Sequence, residues 1–112
     1  MKIYHNPRCR KSREGLQILE ESGAEFETVL YLDNPPSVNE LKEIIQKLGI
    51  EPLALVRTGE ADWKENFKGK NLTDDEIVKA MVTYPKLIER PIVIKGNKAV
   101  VGRPPEKIKE LL

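Results

Sequence analysis

The order in which hydrophobic periodicity changes along the chain restricts its fold more than any single motif. Lys2–Tyr4 (KIY) is short and apolar-leaning and the HNP after it is a turn signal, so a strand ends near Tyr4 and a loop runs through Pro7. From about Cys9 the spacing becomes helical, with Leu16, Ile18 and Leu19 facing inward and Gly23 as the C-terminal stop. Phe26–Leu32 (FETVLYL) is β-branched and apolar with partial alternation, which reads as a second strand. Ser37 and Glu40 form a capping box ahead of Leu41, Ile44, Ile45 and Leu48 at helical spacing, and Gly49 closes that helix.

Between Glu51 and Tyr84 the chain reads as helix in pieces. A short run (PLALV) follows Glu51, a polar segment Thr58–Phe67 sets Trp63 and Phe67 one turn apart, and Thr73 with Glu76 caps a helix carrying Ile77, Val78, Met81 and Val82. The period then returns to two. Pro91-Ile92-Val93-Ile94, a turn at Lys95–Lys98 and Ala99-Val100-Val101 form an antiparallel hairpin. Pro104-Pro105-Glu106 opens a final helix with Ile108, Leu111 and Leu112, where proline in the first turn loses no backbone bond. The order is thus βαβα, a helical section, then ββα. Strands joined through a helix run parallel and a hairpin runs antiparallel, so an α/β fold with a mixed sheet flanked by helices is expected. That is a thioredoxin-like arrangement, one domain over residues 1–112 with a helical insertion at about 51–88 before the C-terminal β-hairpin.

With 112 residues, 39% of them hydrophobic, the chain can bury a core without disulfides or metal. Its lone cysteine excludes a disulfide framework and any multi-cysteine zinc site, and one histidine adds no ligand pair, so no metal is expected. No stretch approaches the ~18 apolar residues of a membrane span, and the N-terminus lacks a signal-like apolar run, which makes a reduced cytoplasmic setting the default. Charge is more informative. The net value is +1, yet residues 1–13 hold Lys2, Arg8, Arg10, Lys11 and Arg13 with no acid, leaving −4 for the remainder. An acidic remainder with 5% aromatic residues argues against nucleic acid as a partner.

Positive charge is therefore gathered at Cys9, which also stands at a helix N-terminus. Both conditions lower a thiol pKa, so a reactive thiolate outweighs a buried structural cysteine. Cys9-Arg10-Lys11-Ser12 has Cys-x-x-Cys spacing with a hydroxyl as its last group. Ser12 cannot resolve a mixed disulfide, though it could donate a hydrogen bond to the thiolate or to a bound oxyanion, and redox cycling needs a thiol from outside the chain. His5 could act as a local base, as a cation supporting the thiolate, or as a structural loop histidine. Only six arginines occur against thirteen lysines; beyond the Cys9 loop they are Arg57, Arg90 and Arg103, each at a junction between elements. A guanidinium suits tetrahedral oxyanions, although each of these singly could be a surface arginine. Pro91, just before a strand, could simply mark an edge, but a thioredoxin-like fold commonly places a cis proline opposite the active cysteine, and a cis Arg90-Pro91 bond, which the sequence itself does not show, would aim Arg90 toward Cys9.

The run His5-Asn6-Pro7-Arg8-Cys9-Arg10-Lys11-Ser12-Arg13, with Arg57, Glu89-Arg90-Pro91 and Val101-Gly102-Arg103-Pro104-Pro105-Glu106, resembles the glutaredoxin-coupled arsenate reductase family of bacteria, in its compact branch. The likeness extends from residue 2 to the end. It implies that Cys9 attacks arsenate, that Arg57, Arg90 and Arg103 hold the oxyanion, and that His5 lowers the cysteine pKa. Asn6, Ser12 and Pro91 fall within the same motifs as supporting residues. It further implies glutathione as co-substrate, glutaredoxin as partner, no bound cofactor and release of arsenite. A monomer is the default. Two other readings stand beside it: a glutathione-dependent thiol-disulfide oxidoreductase of another substrate, and a non-enzymatic redox-linked regulatory or binding protein that uses the basic surface around Arg8–Arg13.

Overall fold

Lys2–Tyr4 (β1) lies inside a four-stranded mixed sheet in the computed structural model, which describes residues 1–112. The sheet order is β2-β1-β3-β4, where β2 is Glu27–Val29, β3 is Ile92–Lys95 and β4 is Lys98–Val101. The expected parallel pairing holds between β1 and β2, with Ile3 opposite Thr28, and β1 also pairs antiparallel with β3, with Ile3 opposite Val93. β3 and β4 form the hairpin. Its two-residue turn places Gly96 at φ 59°, the left-handed backbone that the first central position of a type II′ turn requires.

Two compact units divide the chain. The first, Met1–Asn34 with Arg90–Leu112, contains the sheet, helix α1 (Arg10–Ser22) and a terminal helical segment. Its core is Ile3, Leu19, Val93, Ile108 and Leu111, with Leu16, Ile18, Phe26 and Val100 packed against it. α1 ends at Gly23 in the left-handed conformation, as its sequence indicates. Two expectations need correction. β2 does not run from Phe26 to Leu32, because the Leu30 carbonyl accepts the N–H groups of Asp33 (3.0 Å) and Asn34 (2.9 Å) and turns the chain just beyond Val29. The final helix is a 3₁₀ helix, Pro105–Leu111. It buries Pro105, Ile108 and Leu111, and that spacing of three keeps all of them on one face at three residues per turn.

The second unit, Pro35–Glu89, is helical. α2 (Val38–Leu48) opens on the Ser37–Glu40 capping box, and the following glycine, Gly49, is left-handed. The helix Ala61–Asn66 (α3) is shorter than the polar segment around it, and Trp63 meets Phe67 with ring centroids 5.4 Å apart. α4 (Asp74–Thr83) opens on the Thr73–Glu76 box and packs against α2 and the short 3₁₀ turns Pro52–Leu55 and Pro85–Leu87. The buried faces are Leu41, Ile44 and Ile45 on α2 and Ile77, Val78, Ala80 and Met81 on α4. Each of these follows the periodicity of the sequence.

Candidate active site

Cys9 is the N-cap of α1, half-buried and free. Its position is set by the preceding loop: the Cys9 N–H donates to the Asn6 carbonyl (3.0 Å) and the Arg8 N–H to Asn6 Oδ1 (3.0 Å). Asn6 thus receives two amides, one on its backbone and one on its side chain. The Asn6 N–H in turn donates to Ser12 Oγ (2.9 Å), which is also 2.6 Å from His5 Nδ1. His5, Asn6 and Ser12 are all buried. The loop before the cysteine is thereby tied to the first turn of the helix after it.

Ser12 therefore serves a different purpose from the one its spacing suggests. Its hydroxyl binds His5 and the Asn6 amide, and it is the Ser12 backbone N–H that acts on the sulfur. Burial by itself would raise the Cys9 pKa. The Ser12 N–H, the hydrogen bond and charge of the Arg90 guanidinium, and the Lys11 N–H outweigh it, so the thiol titrates below its ordinary value. The Cys9 side chain forms no capping bond of full geometry. The two amides consequently act on it as dipoles of an uncapped helix end.

Three of the four cations beside Cys9 in sequence are otherwise engaged. Arg10 and Lys11 both pair with Glu14, at 3.2 and 3.9 Å, and Arg13 Nη1 donates to the Pro7 carbonyl (2.9 Å). The charge that lowers the thiol comes instead from Arg90, 81 positions along the chain. His5 is likewise not the supporting cation. Burial lowers its pKa, ahead of an opposing contribution from Ser12, and the ring stays neutral at pH 7.

The Arg90-Pro91 bond is cis, as a thioredoxin-like fold implies, and so is Arg103-Pro104, for which no such expectation existed. Arg103 Nη1 donates to the Arg90 carbonyl (3.1 Å), so the structure brings Cys9, Arg90 and Arg103 together. Arg57 belongs to the helical unit, where its Nη1 is 2.8 Å from Glu60 Oε1 in a half-buried ion pair. Pro91 is fully buried and confined by two glycines. A Cβ on Gly15 would lie 2.8 Å from Pro91 Cγ and 2.8 Å from Ile108 Cδ1; one on Gly102 would lie 2.8 Å from the same Pro91 carbon.

Glu14, Gly15 and Gly102 around Cys9, and Glu60 beside Arg57 in the helical unit, carry contacts that the motifs did not point to. For the two glutamates a signal existed, since Glu14 stands four residues after Arg10 and Glu60 three after Arg57, the spacings of helical ion pairs. The glycines left none, because their neighbours come from distant parts of the chain. Chemically, the arrangement offers a stabilised thiolate with a guanidinium beside it, suited to attack on an electrophilic oxyanion.

The model of the ArsC family matches residues 4–111. An arsenate reductase of Neisseria meningitidis serogroup B is 46% identical over 114 residues, spanning 100% of this chain and 97% of its own. The arsenate reductase of Haemophilus influenzae is 47% identical over 112 residues, spanning 98% and 97%. Among solved structures, an arsenate reductase from Vibrio cholerae superposes with a TM-score of 0.94 at 47% identity, covering 100% of this chain and 98% of that one.

Proposed function

The chain belongs to the ArsC family, and on that premise we propose that it is an arsenate reductase in which Cys9 is the nucleophile and the reducing thiols come from other molecules. The observation that carries this reading is the lowered Cys9 pKa, produced by the helix-end amides together with Arg90. Arsenate has no easily displaced group until its oxygens are neutralised. A guanidinium beside the sulfur both recruits the anion and stabilises charge as an oxygen departs.

The Cys9 thiolate attacks arsenic(V), an S–As bond forms and one As–O bond breaks, the oxygen leaving as water after protonation. Glutathione then adds its sulfur to the same arsenic with loss of a second water. A glutaredoxin thiolate attacks that glutathione sulfur and forms a mixed disulfide. The electron pair of the broken S–As bond remains on arsenic, which becomes arsenic(III), and water releases arsenite and regenerates Cys9. The sum consumes one arsenate and two thiols and yields arsenite, one disulfide and one water. Since Cys9 is recovered and is the sole cysteine, both oxidised thiols must be external. Arg90 and Arg103 hold the oxyanion in this scheme. Arg57 is assigned the same role on family resemblance, which requires its guanidinium to be shared with Glu60 or released by it.

The test is arsenite production from arsenate with glutathione and glutaredoxin. Activity in the parent should vanish in Cys9→Ser and fall by about 100-fold or more in Arg90→Ala, the usual cost of removing a donor to a developing oxyanion. Disulfide reduction without arsenite would move the assignment to another substrate. Undiminished turnover in Cys9→Ser would refute the nucleophile.

A further inference from the structure

A cleft of about 310 Å³ is lined by residues of the loop before Cys9 and of the turn after β2. Its walls include Pro7 and Arg8 on one side and Leu30, Leu32 and Asp33 on the other. Arg8 and Asp33 are exposed and form no ion pair, whereas Arg10, Lys11 and Arg57 are all held by glutamates. Leu30 is one of only three large apolar side chains left exposed in the chain. The cleft therefore presents one cation, one anion and the apolar side chains of Leu30 and Leu32. Arg8 is also the residue immediately before the nucleophile.

This combination excludes arsenate as the occupant, since a small dianion has no use for Asp33 or the leucines. It matches a short zwitterionic peptide bearing an ammonium at one end and carboxylates, with methylenes between them. Small-molecule sites start at about 300 Å³, so the volume suits a ligand of tripeptide size. Resting on the arsenate reductase reading, in which a peptide thiol must approach arsenylated Cys9, we propose that this cleft is the binding site of the glutathione co-substrate. Arg8 takes a carboxylate, Asp33 takes the ammonium, and Leu30 with Leu32 covers the methylene chain. The thiol is then delivered beside the loop that carries the nucleophile, while Arg90 and Arg103, which do not line the cleft, hold the oxyanion. Separate sites for anion and thiol allow both to be bound when the second S–As bond forms.

The test uses S-methylglutathione, which keeps the charges and cannot react. Titrated into Cys9→Ser protein, it should shift the backbone amide NMR signals of Arg8, Leu30, Leu32 and Asp33, and the Kd should rise about tenfold in the charge-reversed pair Arg8→Asp with Asp33→Arg. In turnover, the same pair should raise the KM for glutathione about tenfold while the KM for arsenate moves less than twofold. Shifts confined to other residues, or an unchanged Kd in the reversed pair, would overturn the assignment. Shifts seen only with glutathionylated glutaredoxin would also overturn it, by making the cleft a protein-docking surface. Because the binding arm needs no arsenate, the outcome is independent of arsenite production: absence of arsenite in the parent defeats the reductase reading, and loss of the amide shifts defeats the cleft.

Discussion

Replacing Gly15 by alanine sets two effects of opposite sign against each other in one position. Alanine is the better helix former by about 1 kcal/mol, and Gly15 lies inside α1, so propensity alone predicts a more stable protein. Packing predicts the reverse. The added methyl would stand 2.8 Å from both Pro91 Cγ and Ile108 Cδ1. The end of Ile108 can rotate away, but the Pro91 ring cannot, for on its Gly102 side there is again no space for a methyl group. Forcing a methyl into a filled core costs about 1–3 kcal/mol. The balance is a loss of about 1 kcal/mol, or about 4 °C in Tm for a chain of this length. Pro91 follows Arg90, so the same displacement should draw the guanidinium from Cys9 and move the thiol titration upward. Urea unfolding followed by circular dichroism measures the first effect, and the pH dependence of iodoacetamide alkylation the second. A Gly15→Ala protein at least as stable as the parent, with the same alkylation profile, would refute the claim that this seam is closed.

Removing the guanidinium directly, in Arg90→Ala, should shift the alkylation profile to higher pH, because Arg90 is among the groups that lower the Cys9 pKa. The folded Cys9 pKa is lowered from the ordinary value of a free thiol, roughly 8.5–9. Thiolate stabilisation is thus complete above about pH 8.5 and is lost as pH falls through the folded value; urea midpoints should rise with pH across that window and cease to do so in Cys9→Ser. His5 is also lowered, chiefly by burial, so below about pH 6.5 the unfolded chain takes up a proton that the folded chain resists. Stability should therefore decline on acidification from pH 7 to 5, and His5→Gln should flatten that decline. Ser12→Ala leaves the His5 ring nitrogen and the Asn6 amide buried without their shared partner, and should cost about 2–3 kcal/mol in the same unfolding assay.

Features decided within four residues are legible in the amino-acid sequence itself. The capping boxes at Ser37 and Thr73 and the helix stop at Gly23 are local bargains between side chain and backbone, and each appears where the sequence places it. The parallel β1–β2 pair and the antiparallel hairpin follow from connectivity, whereas the β1–β3 pair that joins them does not. Elsewhere local signals mislead. FETVLYL has strand composition throughout, but the turn at Leu30 that ends β2 is a choice of backbone bonds that composition does not record. The terminal segment carries its own clue in Pro105, Ile108 and Leu111, a spacing of three that belongs to a 3₁₀ helix. Cys9 is singled out by its charged neighbours, though what lowers its pKa is different: Arg10, Lys11 and Arg13 are bound to Glu14 and Pro7, and the effective cation arrives from beyond the helical unit in the sequence. Proximity along a chain is a poor guide to proximity in space once folding brings distant segments together.

The amides of Lys11 and Ser12 that face the Cys9 sulfur belong to the main chain. No ordinary substitution can delete them, since every amino acid except proline supplies the same N–H. An alanine scan of this site would therefore score Lys11 as dispensable while leaving its contribution to the thiolate untouched. That part of the nucleophile's activation is hidden from genetics and free to persist while the side chain at position 11 drifts. Exposing it calls for chemical synthesis, in which an ester replaces the amide at one of these two positions and removes a donor without altering any side chain.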